Sequence, residues 1–168
     1  MESSAMLNTI ESEKEAPTRI GGWLVLIGLG VIFAPLRILY ILFATYPPIV
    51  TDGTWELLTT IGSESYSPIW GPLLIGEFLI NLAVVTASFY MAFLFFTKNS
   101  KLPIWYASIA LFSSIFIVVD AYIVTMVLPE IEMFDTDTIK ELSRTLFALL
   151  IWTPYLLLST RSRSTFTQ

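Results

Sequence analysis

Cysteine and histidine are both missing from this 168-residue chain. Without thiolate or imidazole there are no disulfides, no Cys or His metal ligands, no Cys or His catalysis and no serine–histidine dyad. Charge is scarce as well. Asp, Glu, Lys and Arg together make up 14% of the residues, against roughly 25% in soluble domains. A chain this poor in charge cannot cover a water-facing surface. With 55% hydrophobic residues it reads as an integral membrane protein. The balance of 9 basic against 14 acidic residues, net −5, argues against nucleic acid as a partner. No phosphate-binding GK[ST] occurs, and Gly28-Leu29-Gly30 lacks the third glycine and preceding strand of a dinucleotide loop. An aspartyl intramembrane protease needs two membrane aspartates, and Asp120 alone falls within a span. The residues imply no metal and no cofactor.

What the chain does have is long apolar runs. A bilayer core about 30 Å thick needs roughly 20 apolar residues in a helix. Four stretches qualify: Ile20 to Tyr46, Trp70 to Phe96, Ile104 to Leu128 and Leu142 to Leu158. Lipid offers backbone groups no partners and there is no alternating barrel pattern, so the fold class is all-α, four transmembrane helices in a compact bundle. The fourth span can begin earlier, in water, because Thr138 followed by Glu141 spells a capping box. Residues 1–19 carry both charges and no apolar core. They read as a disordered cytoplasmic tail rather than a signal peptide, leaving the first span as an uncleaved anchor. Residues 159–168 read as a basic tail. In the loop between the first two spans, Thr54 to Ile61 has helical spacing and suits either a short surface helix or an ordered loop.

The basic residues set direction. Lys14, Arg19, Lys98, Lys101, Arg161 and Arg163 gather at one end, while the other end has Lys140 and Arg144 among many carboxylates. The positive-inside rule then places both termini in the cytoplasm. Trp70, Trp105 and Tyr46 stand at span ends, as interfacial aromatics do.

Arg37, Glu77 and Asp120 lie inside spans, where a charge costs roughly 2.5–3.5 kcal/mol at the helix centre. A rise of about 1.5 Å per residue puts all three about 10–13 Å below the outer boundary. Mutual pairing in one buried cluster is the expectation, with Asn81 beside it; the surplus carboxylate is either matched by Arg144 reaching inward or removed by protonation. Polar or small residues recur at helical spacing on each span: Gly30, Ala34, Arg37, Tyr40 and Ala44; Glu77, Asn81, Ser88 and Ala92; Tyr106, Ser113 and Asp120; Arg144, Ala148, Ile151 and Tyr155. These stripes predict inward faces. Gly30 and Ala34 form a small-xxx-small pair suited to close helix approach. The cluster serves either as a structural ion-pair network or as a proton or ion path.

The chain's two ends carry motifs. Ile20-Gly21-Gly22-Trp23-Leu24 opens the first span; near the other end stand Arg144, Trp152, Pro154 and Tyr155, then Ser159, Arg161, Arg163, Thr165 and Phe166. Together they resemble the bacterial inner-membrane family catalogued as domain of unknown function 2569. Its members look like small four-span proteins with a GGWL start and a W-x-P-Y, S-x-R-x-K-x-T-F ending. Arg163 stands where that pattern has lysine, preserving charge. The resemblance implies a four-span fold and a bacterial cytoplasmic membrane, and it carries over no catalytic residue. In physical terms, Gly21 and Gly22 allow close approach at the interface and Trp23 suits that level. Arg161 and Arg163 suit anionic headgroups, and Phe166 would dip in beside them. An ordered tail would make a docking site from both ends.

The expected function is therefore a non-enzymatic accessory, assembly or protective membrane protein, working through lipids, a membrane-protein partner or a second copy of itself. The alternative is a small proton- or ion-linked transporter or channel using Arg37, Glu77 and Asp120.

Overall fold

The computed structural model describes residues 20–167; the reading of residues 1–19 as a tail, with Lys14 and Arg19, lies outside them. Helix α1 runs Trp23–Thr51, α2 Thr54–Thr59, α3 Trp70–Phe96, α4 Leu102–Val127 and α5 Thr136–Phe147. A π-helical turn over Ala148–Trp152 joins α5 to α6, Thr153–Leu158, and α7 covers Thr160–Thr165. Helices α1, α3, α4 and the continuous stretch Thr136–Leu158 are long and apolar enough to cross a membrane. The protein is a multi-pass all-α membrane bundle. Phe43, Phe33, Phe93 and Ile104 project freely from it, with Phe43 75% exposed. Such outward apolar surface is tolerable only against lipid.

One span boundary differs from expectation. Helix α1 continues past Tyr46 through Pro47 and Pro48, ending where Asp52 N–H donates to the Pro48 carbonyl at 2.9 Å. The helix of the fourth span begins at Thr136, ahead of Leu142, the earlier start in water that the sequence allows. Its N-cap is Asp135, whose carboxylate accepts from Thr138 N–H at 2.7 Å. Thr138 is thus the third helical residue and not the cap, so Glu141 lies well inside the helix. The segment after Gly53 is helical, over Thr54–Thr59.

Neighbouring spans pack in chain order, α1 on α3, α3 on α4, and α4 on the fourth span. The tight reversal between α3 and α4 passes through Lys98 at φ +55°. Asn99 N–H reaches back to the Leu94 carbonyl at 2.9 Å, the closing bond of a Schellman turn. The first and fourth spans, by contrast, are not among the closely packed pairs. Their seam is joined by side chains.

The core fills one end of the bundle, the end with the described chain ends and the Lys98 turn. Leu24, Ile27, Leu94, Phe95, Leu156 and Phe166 are its centre. Helix α7 folds back beneath the bundle, burying Ser162, Thr165 and Phe166. Ser162 Oγ donates to the Leu156 carbonyl at 2.7 Å and Thr165 Oγ1 to Arg161 O at 2.7 Å. Phe166 is therefore core and does not dip into an interface. Its ring sits 5.6 Å from that of Phe95. Phe95 in turn lies over Gly28, where an added Cβ would come within 2.9 Å of two ring carbons. The close approach expected of Gly30 belongs to Gly28; at Gly30 a Cβ would meet nothing within 4 Å.

Candidate functional site

In the other half of the bundle the four spans part around a cavity of about 690 Å³. Its floor includes Val31 and Met91, which also belong to the core. The apolar core therefore closes it at one end. Its mouth includes Glu132, Asp135 and Asp137, from the loop after α4 and the start of α5. Arg37, Glu77, Asn81, Asp120 and Arg144 all line it, so the residues that sequence reasoning brought together do share one space.

They do not pair as expected. Arg37 makes a bidentate contact with Glu141, Nη1 to Oε1 at 2.6 Å and Nη2 to Oε2 at 2.7 Å. The pair is not buried, its side chains being 39% and 36% exposed. Arg144 does not reach toward Glu77 or Asp120; its Nη1 donates to Glu141 Oε1 at 3.3 Å. Asn81 Nδ2 donates to the backbone carbonyl of Glu77 at 3.0 Å and not to its carboxylate, beside which stands the Tyr46 hydroxyl. Among the described residues no lysine or arginine forms a salt bridge with Glu77 or Asp120. The two carboxylates lie within electrostatic range of each other.

The reason for the re-pairing is the longer fourth helix. Counted from Leu142, Glu141 reads as a loop carboxylate. Counted from the Asp135 cap, it sits in the second turn of α5, across the open seam from Arg37. A planar guanidinium takes a carboxylate two-pronged when one can face it. At the mouth, the Thr138 backbone and side chain hold the Asp135 carboxyl below the usual aspartate range.

The expected inward stripes are borne out in part. Gly30, Ala34, Ser88, Tyr106, Ser113 and Ala148 line the cavity. Tyr40 is exposed, as are Ala44 and Ile151. Tyr46 lines the cavity, its ring edge-on to Phe78 at 5.0 Å. Its hydroxyl is buried beside the Glu77 carboxylate. Trp70 does open α3, and Trp105 Nε1 donates to the Ala87 carbonyl at 3.0 Å.

Two features escaped sequence reasoning. One is Glu141. The other is the π-helical turn, where Thr153 N–H reaches the carbonyl of Ala148, five residues back, and Thr153 Oγ1 donates to the same oxygen at 3.2 Å. Pro154, which has no N–H, was the available signal. The turn carries Trp152, which lines the cavity and lies 6.0 Å from Trp23. The two ends of the chain meet here. Gly22 sits at φ +58°, a conformation that favours glycine, and an added Cβ would stand in ordinary contact with Arg161, 3.5 Å from Nη1. Gly21 stands just before it, partly buried, and the Ser159 backbone links α6 to α7. Arg161 and Arg163 remain exposed, Arg163 donating Nε–H to the Leu157 carbonyl at 3.0 Å.

A family model described as "Protein of unknown function (DUF2569)" matches residues 17–167. The chain belongs to that family. Comparison with curated proteins finds no match, and comparison with solved structures finds none.

Proposed function

We propose that this member of the DUF2569 family is a non-enzymatic membrane protein acting through protein or lipid contacts, with the cavity between its spans as the place of contact. The supporting observation is that cavity's shape: open toward the acidic loop, apolar at its floor, and closed below by the core. A concave pocket of a few hundred Å³ with apolar walls is the usual form of a binding site. A single-ended pocket holds a molecule or a partner's side chains; a conduit needs two ends. Clustered Lys98, Lys101, Arg161 and Arg163 support placing the described chain ends in the cytoplasm, and the end motifs support a bacterial inner membrane.

The test is extraction into native nanodiscs followed by native mass spectrometry. The expected result is a co-isolated lipid, amphiphile or membrane protein, lost when Ser113→Trp fills the cavity. Isolation as a bare, partner-free monomer would overturn the proposal. A proton- or ion-linked transporter is the second reading, favoured by Glu77 and Asp120 sharing one cavity with, among the described residues, no salt bridge to a lysine or arginine. It requires pH-dependent flux in proteoliposomes, and no flux under any gradient would exclude it.

A further inference from the structure

We propose that the cavity binds an organic cation with a bulky apolar body, its charge seated between Glu77 and Asp120. This rests on the reading of the cavity as a contact site and names the chemistry of what it takes.

Arg37 is the cation expected to neutralise the cavity's carboxylates, yet both its Nη atoms are engaged by Glu141. Arg144 is turned to the same carboxylate. Six acidic residues line the space, Glu77, Asp120, Glu132, Asp135, Asp137 and Glu141, against Arg37 and Arg144. Among the described residues, then, neither Glu77 nor Asp120 has a salt bridge to a lysine or arginine. A carboxylate left without a counter-charge in such surroundings is costly, and a bound cation would relieve that cost.

The body of the ligand follows from the rest of the lining. Below the carboxylates the wall is apolar, with Val31, Val84, Met91 and Ile109. Tyr106, Phe116 and Trp152 also line it and add ring surface for an apolar body. Among the described residues no group of three or more acidic side chains could hold a metal ion, so an organic cation suits this wall better than a compact metal ion. The carboxylates at the mouth would concentrate cations at the entrance.

The experiment uses the full chain in phosphatidylcholine nanodiscs. Binding of tetraphenylphosphonium is measured by equilibrium dialysis beside neutral triphenylphosphine oxide, with empty nanodiscs as background. The expected result is saturable binding of the cation, weaker by about tenfold or more in the Glu77→Gln/Asp120→Asn double variant and stronger than that of the neutral compound. Equal affinity for the neutral compound, or unchanged affinity in the double variant, overturns the cation inference while leaving the contact reading intact. Absence of binding by both probes, together with no co-isolated molecule, sinks both. Should the double variant fail to fold, wild-type protein serves instead. Tetraphenylphosphonium, and not the oxide, should then protect Glu77 and Asp120 from a lipid-soluble carbodiimide; equal or absent protection refutes the proposal.

Discussion

Neutralising Arg37 is the perturbation with the most to say about this bundle. The guanidinium is tied to Glu141 by two short charge-assisted bonds, 2.6 and 2.7 Å, each stronger than a neutral hydrogen bond. Both side chains nevertheless keep more than a third of their exposure, 39% and 36%, so solvent screening discounts the pair. Fully exposed pairs contribute at most about 1 kcal/mol, and breaking a fully buried pair costs about 3–5 kcal/mol. A half-exposed bidentate pair falls between, about 2 kcal/mol. For a domain of this size that is a fall in Tm of about 4–8 °C. The assay is thermal unfolding of the purified protein for Arg37→Met, Glu141→Gln and the double variant. The cycle should give a coupling of about 1 kcal/mol or more. The same cycles with Glu77→Gln and Asp120→Asn should give coupling near zero, because neither carboxylate pairs with Arg37. A larger coupling to Glu77 or Asp120 than to Glu141 would refute the reasoning and restore the pairing expected from helix depth alone.

Gly28→Ala should destabilise by about 1–3 kcal/mol through overpacking against Phe95, and Phe95→Leu should rescue it; Gly30→Ala, with open space around it, should leave thermal stability unchanged or slightly higher. Phe166→Ala removes a ring that is 5% exposed and should cost about 3–5 kcal/mol, read as a lowered Tm; a wild-type melting curve would show that the α7 segment is not part of the core. Asp135→Ala should speed hydrogen exchange at the Thr138 amide. In the native protein the same loss should appear with acid. The carboxyl is held below its unfolded value of 3.8, so its contribution is present above that value and disappears as pH falls through the lower folded one. Protection at Thr138 that is indifferent to pH across this range would argue against the cap.

Some of this protein was written in local chemistry. Spans of the α1, α3 and α4 kind follow from run length, because an apolar helix of this length has nowhere else to satisfy its backbone than within itself. The small turn at Lys98 follows from the shortness of the link. That Glu77, Asn81, Asp120 and Arg37 look toward one space follows from helical periodicity, since each polar stripe has one face on which to gather. Who pairs with whom did not follow. Two carboxylates at the depth of one arginine made the obvious match, yet the partner of Arg37 is Glu141, on a helix whose start was fixed by the Asp135 cap. Capping and span depth compete at the polar end of the fourth span, and hydropathy alone could not decide between them. Gly28 and Gly30 are equally small on paper; only the position of the Phe95 ring distinguishes them. The burial of Phe166 beneath the bundle is likewise a contact between chain ends far apart in sequence, which no periodicity records. Composition and spacing determined four helices long and apolar enough to cross a membrane, with part of each polar stripe turned inward. Packing alone determined that the core closes one end, that a cavity opens at the other, and which charges pair there among the described residues.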